Sequence, residues 1–283
     1  MIEKQPHIAI ILIDYNSKNI TEKCIESLKH LDYENFDIII VDNSSKIEFS
    51  DSFIKKQQLH YIKNSQNLGF AKACNIGIKY AQSELPSDYF WILNNDTTVA
   101  RDSLKNMVNR STTQNYAITG SKIIDPQTTK IQCLAGGYLN KLIGKSNFIK
   151  KDSELQKLEY ICGASMLIAK NTITKVGYFD EDFFLYYEDN EFCRRALEHG
   201  LTIGYCEEAE IFHIESSTTG KIPRTKIFYT SSSFVIFCLK TKQYLTLLNG
   251  LILRFSFYLV KIRLDYLQSF IKAIYKGFNY KNG

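Results

Sequence analysis

The alternation of short Ile- and Val-rich runs with helical stretches between residues 8 and 80 constrains the fold of this chain more than any other feature. Residues 8–13 and 38–41 are continuous apolar runs of the kind that form strands buried on both faces of a sheet. Between them, apolar residues recur at helical spacing at Ile20, Cys24, Ile25, Leu28 and Leu31. The alternation predicts an α/β fold with a mostly parallel central sheet flanked by helices.

The rest of the chain predicts one large domain and an appendage. Further strands are expected at 59–62, 89–93, 165–169 and 202–206, and helices over 70–81 and 188–199. Between 112 and 159 the periodicity weakens and glycines lie among polar residues, which predicts loops and short antiparallel strands. A chain of 283 residues, 45% of them hydrophobic, can bury a sizeable core. We predict a main domain over 1–222 and a basic helical extension over 223–283.

The extension differs from the main domain in charge. Residues 221–283 hold eleven Lys or Arg and one acid, Asp265, in a chain whose net charge is +5. Lys261, Asp265, Gln268, Lys272 and Lys276 form one polar helical face. Residues 244–260 are apolar but interrupted by Arg254 and shorter than the roughly 20 residues that cross a bilayer. We expect the extension to lie on an anionic membrane surface, with a solvated helix face as the alternative and no nucleic acid expected.

The location of the protein is predicted from its cysteines and its first residues. The seven cysteines are odd in number, scattered and without a C-x-x-C pair, which indicates neither a disulfide framework nor a zinc site. The start of the sequence has neither a basic region nor a small-residue cleavage site, so no signal peptide is indicated. These features predict a cytoplasmic protein that associates peripherally with the inner face of the plasma membrane.

Polar clusters follow the predicted strands, and open α/β sheets bind ligands beyond the carboxyl ends of their strands. The clusters are Asp14-Tyr15-Asn16-Ser17, Asp42-Asn43-Ser44, Asn67-Leu68-Gly69-Phe70 and Asn94-Asn95-Asp96. No glycine follows the first strand, which argues against a dinucleotide cradle and favours a single nucleotide held by a base contact and a metal. Asp96 offers a carboxylate to Mg²⁺ or Mn²⁺. An Asx turn that ends a strand is the alternative interpretation.

The segment 177–191 interleaves acids with aromatic residues. Aromatic faces can stack on sugar rings, and Glu188 and Asp189 at the start of a helix would stay ionised, as a general base requires. A helix cap over an aromatic core is the alternative. His213 follows a short strand, where a structural or surface role is the alternative to metal binding.

Together these motifs resemble the family 2 glycosyltransferases with the GT-A fold, in particular the rhamnosyltransferase-like group that builds bacterial surface polysaccharides. The resemblance covers residues 8–217 and fades after about 225. It rests on Ile-Asp-Tyr-Asn at 13–16, Ile-Val-Asp-Asn-Ser-Ser at 40–45, Asn-Leu-Gly-Phe-Ala at 67–71 with Asn75, Leu-Asn-Asn-Asp at 93–96, Gly-Ala-Ser-Met-Leu at 163–167, Phe-Asp-Glu-Asp-Phe-Phe-Leu-Tyr-Tyr-Glu-Asp at 179–189, and His213.

The resemblance implies a role for each matching position. Asp96 and His213 would hold a divalent cation, and Asp189 would be the catalytic base. Gly163 and Glu188 would shape the acceptor and donor-sugar site. The positions assigned to the nucleotide are Tyr15, Asp42, Asn67, Gly69, Asn94 and Asn95. Two positions depart from the family pattern: Asn94 replaces the first acid of the Asp-x-Asp motif, and Asp14 stands where a small hydroxyl residue is common.

The implied activity is inverting transfer of a sugar from a nucleotide-diphosphate donor, dTDP-rhamnose or a UDP-hexose, to a saccharide or lipid-linked acceptor in bacterial surface polysaccharide synthesis. A non-catalytic subunit that binds a sugar or lipid carrier is the alternative. A nucleotidyltransferase would need a glycine- and arginine-rich triphosphate loop near the N-terminus, and the sequence has none there.

Overall fold

The computed structural model describes residues 5–214, 223–260 and 263–280. Its first half is a parallel α/β unit, as the alternation predicts. The strands are β1 (Ile8–Asp14), β2 (Phe36–Asp42), β3 (His60–Lys63) and β4 (Tyr89–Asn94), and the helices are α1 (Lys18–Leu28), α2 (Asp51–Lys56) and α3 (Phe70–Glu84). They pair in the order β3-β2-β1-β4, and all these pairs are parallel. The carboxyl ends of the strands therefore meet at one edge.

The second half extends the same sheet in the order β4-β11-β6-β12-β5. Its elements are β5 (Thr97–Val99), α4 (Ser103–Gln114), β6 (Ile118–Ile124), β7 (Ile131–Leu134), β8 (Gly136–Leu139), β9 (Ser146–Phe148), a 3₁₀ turn (Asp152–Lys157), β10 (Tyr160–Ile161), β11 (Ser165–Ala169), α5 (Lys170–Val176), α6 (Glu188–Glu198) and β12 (Ile203–His213). Strand β11 is antiparallel to both neighbours, and β10-β8-β9 form a small separate sheet.

Two expectations for this half need correction. Strand β6 belongs to the central sheet although it lies in the stretch expected to hold loops and short antiparallel strands. Its buried Thr119, Gly120 and Ser121 break the apolar run that marks the other central strands. The strand expected at 202–206 continues to His213 through a register shift, because its far end pairs with β5.

Helix α3 packs against the sheet through small side chains, as its sequence predicts. Ala73, Cys74, Gly77 and Ala81 are buried on this face. A β-carbon at Gly77 would lie 2.5 Å from Ile11 Cγ2, so a larger residue would push the helix off β1. Because α3 is held this close to β1, its first residues lie at the edge of the sheet where the parallel strands end.

The extension forms three helices, α7 (Pro223–Lys240), α8 (Tyr244–Val260) and α9 (Leu264–Phe278). Helices α7 and α9 pack together, whereas α8 exposes many apolar side chains. Within the described residues, none of the helices is long and apolar enough to cross a membrane. In the predicted polar face, Lys261 lies outside the described residues, and Asp265 pairs with Arg224 and Arg263.

Candidate active site

Asp14 joins the loops that follow β1, β2 and β4. It is fully buried, and its carboxylate accepts hydrogen bonds from Ser17 Oγ at 2.9 Å, Thr21 Oγ1 at 2.5 Å, Ser45 Oγ at 2.7 Å and Asn95 Nδ2 at 3.2 Å. The Asn95 amide also donates to the hydroxyls of Ser17 and Thr21. Both Asp14 and Asn95 therefore point into this network in the structure.

Asp42 ends β2 with both carboxylate oxygens engaged. Oδ1 accepts from the Ser45 backbone N–H at 2.7 Å, and Oδ2 accepts from Tyr61 Oη at 2.5 Å. Burial, together with this bond, raises the pKa of Tyr61, so the phenol stays the donor. Tyr15 lies beyond the end of β1 with 39% of its surface exposed.

Asn43 holds the loop that begins α3. Its amide donates to Asn67 Oδ1 at 2.8 Å and to the Gly69 carbonyl at 3.2 Å, and Asn67 Oδ1 also accepts from Gly69 N at 3.0 Å. Gly69 has φ +85°, and a β-carbon there would lie 2.5 Å from the Phe184 carbonyl oxygen. Only glycine combines this backbone conformation with so close an approach.

Asp96 and His213 meet where β12 pairs with β5. Asp96 Oδ1 lies 3.2 Å from His213 Nε2, and both side chains are mostly buried. Gln132 Nε2 donates to the His213 carbonyl at 2.8 Å, which turns Gln132 Oε1 toward His213 Nδ1 at 3.0 Å. Since an amide oxygen only accepts, Nδ1 carries a proton, and in the neutral ring Nε2 is the nitrogen whose lone pair could bind a metal.

This arrangement fits a divalent cation. A carboxylate oxygen and an imidazole nitrogen are both ligands that Mn²⁺ accepts. No group of three or more His, Cys, Asp and Glu residues suited to a metal occurs in the described part of the chain, so the remaining ligands would be substrate oxygens and water. Asn94, which replaces the first acid of the motif, has its Nδ2 3.4 Å from the same histidine nitrogen.

Asp189 lies in the first turn of α6 with its carboxylate bonded on both sides. Oδ2 accepts from the Gly163 N–H at 3.1 Å, and Oδ1 accepts from the backbone and side-chain nitrogens of Asn190 at 2.8 and 2.9 Å. Burial raises the pKa of Asp189 above its usual value, and the bonds from Asn190 and Gly163 oppose the shift. A carboxylate whose pKa is raised but which stays accessible is suited to accept a proton.

Glu188, the neighbour of Asp189, is 5% exposed, and its Oε2 has no hydrogen-bond partner among the described residues. Burial, and next the charge of Asp189, raise the pKa of Glu188 well above its usual value. The direction of this shift opposes the expectation that Glu188 stays ionised at the start of the helix, because burial disfavours the charged form.

The turn before α6 is strained. Tyr186 and Tyr187 have φ of 71° and 68°, in the left-handed region that costs about 1–2 kcal/mol for each residue with a β-carbon. Tyr187 Oη donates to the Gly144 carbonyl at 2.7 Å, and its ring lies 5.5 Å from the ring of Phe237. Packing from distant elements thus keeps the turn that presents Asp189.

The structure brings the predicted groups together through backbone contacts. The Phe70 N–H donates to the Phe184 carbonyl at 2.7 Å, which links the start of α3 to the segment before Asp189. The Asn94 N–H donates to the Ala164 carbonyl at 3.0 Å, which sets the end of β4 beside Gly163. Of the candidate residues, Tyr15 is the most open, whereas Asp42 and Glu188 are buried.

Several residues of this site have no sequence signal. Gln132 lies in the stretch of weak periodicity, and its role depends on a contact with His213 that spans 81 positions. Tyr61, the partner of Asp42, is one aromatic residue among the 36 Tyr and Phe residues of the chain. Asn43 occurs within a quoted motif, but only the structure reveals its bonds to Asn67 and Gly69.

Known proteins share this sequence pattern. The family model described as glycosyl transferase family 2 matches residues 9–177. The low-salt glycan biosynthesis hexosyltransferase Agl10 of Haloferax volcanii is 27% identical over 213 residues, 73% of this chain and 66% of Agl10. The dTDP-rhamnosyl transferase RfbF of Shigella flexneri is 24% identical over 76% of this chain and 72% of RfbF. The rhamnosyltransferase WbbL of Escherichia coli K12 is 23% identical over 73% of this chain and 83% of WbbL.

Solved structures share the fold. Residues 1–349 of Staphylococcus aureus TarS superpose with a TM-score of 0.61 at 14% identity, covering 97% of this chain and 80% of the TarS chain. The mannosyltransferase PcManGT of Pyrobaculum calidifontis, solved with GDP-Man and Mn²⁺, superposes with a TM-score of 0.61 at 12% identity, covering 98% of this chain and 88% of PcManGT.

Proposed function

Because the chain belongs to glycosyl transferase family 2 and has the GT-A fold, we propose that it moves a sugar from a nucleotide-diphosphate donor to a saccharide or lipid-linked acceptor. The proposed setting is bacterial surface polysaccharide synthesis. The donor is proposed to be dTDP-rhamnose or a UDP-hexose, since RfbF and WbbL are rhamnosyltransferases and Agl10 is a hexosyltransferase.

The donor nucleotide is proposed to bind where β1, β2 and β4 end. Tyr15 offers an exposed ring for stacking, and Asp42, Asn67 and Gly69 line the same edge. Asn94 would complete the proposed nucleotide site from the end of β4, and Asn95 would support that site through its bonds to Asp14, Ser17 and Thr21. The buried network around Asp14 would keep these loops in place before the donor arrives, so little ordering cost would remain at binding.

Asp96 and His213 are the proposed ligands of a Mg²⁺ or Mn²⁺ ion. When bound there, the cation would neutralise the charge that develops on the departing nucleoside diphosphate. Gln132 accepts from His213 Nδ1, so in the neutral ring Nε2, on the side of Asp96, is the nitrogen that would bind a metal.

Asp189 is the proposed base. Its carboxylate would take the proton from the acceptor hydroxyl as that oxygen attacks the anomeric carbon opposite the leaving diphosphate, so the configuration inverts. Gly163 donates its N–H to Asp189 Oδ2 and would keep that oxygen in place. Buried Glu188, next to Asp189 in the first turn of α6, would shape the donor-sugar and acceptor site.

One observation carries the proposal: the loop that donates a hydrogen bond to Asp189 is itself bonded to the end of the strand that leads to Asp96. The Asn94 N–H donates to the Ala164 carbonyl, and Ala164 follows Gly163, whose N–H donates to Asp189 Oδ2. Displacement at a sugar carbon requires a base and a cation site near each other, and this bond supports that arrangement.

We further propose that the extension rests on an anionic membrane at the cytoplasmic face. Helix α8 exposes Leu245, Leu248 and Ile252, which follow one another at helical spacing, in a region rich in Lys and Arg. The double variant Leu248→Ser, Ile252→Ser should sediment less with phosphatidylglycerol vesicles than the unmodified protein does. Equal sedimentation of both proteins would contradict membrane binding through α8, and equal binding to neutral phosphatidylcholine vesicles would contradict the preference for an anionic surface.

The test of the activity is the rate at which nucleoside diphosphate is released from dTDP-rhamnose, UDP-glucose and UDP-N-acetylglucosamine with saccharide and lipid-linked acceptors. Asp189→Asn keeps the shape of the side chain and removes its basicity, so we expect kcat to fall about 10³-fold while the nucleotide still binds. Unchanged turnover in Asp189→Asn would exclude this residue as the base. Nucleotide binding without any transfer by the unmodified protein would favour the non-catalytic subunit.

A further inference from the structure

Four side chains on one face of α7 contact the segment that leads to Asp189. They are Tyr229, Ser233, Phe237 and Lys240, spaced by four, four and three residues along the helix, so they lie in one row. The segment they contact, residues 180–187, contains neither helix nor strand. Its shape therefore depends on contacts with other elements.

Three of the contacts hold the part of the segment closest to Asp189. The Tyr229 ring stacks on the Phe184 ring with centroids 4.6 Å apart and planes 11° apart. Ser233 Oγ donates to the Leu185 carbonyl at 2.8 Å, and Ser233 is buried. Phe237 packs on the ring of Tyr187, the residue before α6.

Lys240 holds the start of the segment by charge. Its ammonium lies 2.6 Å from Asp180 Oδ2 and also contacts the Asp182 carboxylate, with 24% of the Lys240 side chain exposed. Asn75 of α3 donates to the Phe179 carbonyl at 2.8 Å and accepts from the Phe179 N–H at 3.0 Å, just before the segment, and also donates to Glu181 Oε1 within it at 3.1 Å. Contacts from both α3 and α7 thus clamp the segment.

We propose that this row of α7 positions Asp189, with Lys240 and Ser233 as positioning residues for the proposed transfer reaction, on which the inference rests. The left-handed backbone at Tyr186 and Tyr187 persists only while surrounding contacts enforce it. Release of the clamp would let the turn relax and move the carboxylate away from the acceptor hydroxyl. An error of about 1 Å in such a group can cost about 10²-fold in rate.

The test compares Lys240→Gln with Lys240→Arg and with Lys105→Gln, which changes an exposed lysine of α4. Turnover is the release of nucleoside diphosphate from the donors named above. We expect Lys240→Gln to lower kcat ten- to hundredfold with the donor KM within twofold, Lys240→Arg to recover most of the rate, and Lys105→Gln to match the unmodified protein.

Hydrogen–deuterium exchange provides a second measurement that needs no substrate. In Lys240→Gln the amides of 180–189 should exchange at least tenfold faster, while those of β1 and β2 stay protected. Ser233→Ala removes one hydroxyl. It should raise the exchange rate at 185–187 and, like Lys240→Gln, lower kcat. Ser233→Ala can replace Lys240→Gln in both measurements if Lys240→Gln does not fold.

Three outcomes would overturn the inference. Unchanged exchange over 180–189 would show that Lys240 does not hold the segment. Faster exchange with unchanged kcat would show that the segment does not position the base. An unmodified protein that transfers no sugar would refute the proposed function and the inference with it, whereas the first two outcomes, in an unmodified protein that transfers sugar, would refute the inference alone.

Discussion

The two sides of the candidate site are stabilised in different ways. On the nucleotide side, polar groups from the loops after β1, β2 and β4 bond to one another, and Asp14 alone accepts from four donors. On the side of the proposed base, the described residues leave Glu188 Oε2 and Asn190 Oδ1 buried without partners, next to two left-handed tyrosines. The polar groups on the nucleotide side find their hydrogen-bond partners among the motif residues. The side of the proposed base depends instead on contacts with helices of the extension.

Loss of the Asp14 carboxylate should have the largest effect on stability. Asp14→Ala removes the acceptor of three buried hydroxyls and of the Asn95 amide, so we expect the free energy of unfolding to fall by about 3 kcal/mol or more in urea titrations. Asp51→Ala, at an exposed position of α2, should change it by less than about 0.5 kcal/mol. Similar values for both variants would show that the network around Asp14 does not stabilise the nucleotide side.

Gly69 is the point where the two sides touch, and its replacement should affect both. Gly69→Ala adds left-handed strain and a contact with Phe184, so we expect a loss of about 2–3 kcal/mol together with weaker nucleotide binding and slower turnover. Gly200→Ala is a matched control, because Gly200 has φ +70° but no atom within 4 Å of the added carbon. Equal losses in both variants would mean that the contact with Phe184 contributes nothing.

Gln132 tests the proposed cation site without removing a ligand. Gln132→Leu releases the His213 ring, so we expect nucleotide affinity in Mn²⁺ to fall about tenfold, with metal-free affinity unchanged. Gln114→Leu, on the exposed end of α4, should leave both affinities as they are. An unaltered Mn²⁺-dependent affinity in Gln132→Leu would contradict the assigned histidine tautomer.

Replacement of Glu188 should have the smallest of these effects, and the effect should depend on pH. Because its pKa is raised in the folded state, the protonated form stabilises the fold below the ordinary pKa of a glutamate, and this stabilisation is lost as pH rises toward the raised value. Glu188→Gln keeps a neutral side chain throughout, so its Tm should exceed that of the unmodified protein more at pH 8 than at pH 5. A constant difference would indicate that Glu188 does not titrate in this range.

A contrast between local and distant contacts also explains which parts of the fold the sequence predicts. Strands β1, β2 and β4 follow from uninterrupted apolar runs, and the polar clusters after them lie within a few residues of each strand end. Helix α8 coincides with the apolar stretch 244–260. In these regions sequence neighbours are also spatial neighbours, so local pattern is sufficient.

Other features depend on distant contacts that no local pattern contains. Asp14 and Asn95 face inward because three separate loops supply their partners. Strand β6 was obscured by buried Thr119 and Ser121, which interrupt its apolar run. The row of α7 contacts a segment without regular structure, so neither partner has a periodicity that would reveal the pair.

The central claim, a cation-assisted nucleotide-sugar site formed by Asp96 and His213 beside the ends of β1 and β2, is tested most directly by calorimetric titration. Nucleoside diphosphates and their sugars are titrated into the unmodified protein and into Asp96→Asn, each with and without Mn²⁺. We predict that one nucleotide binds the unmodified protein, that Mn²⁺ strengthens the binding, and that Asp96→Asn loses the Mn²⁺ effect alone. Binding of no nucleotide, or an equal Mn²⁺ effect in both proteins, would contradict the account.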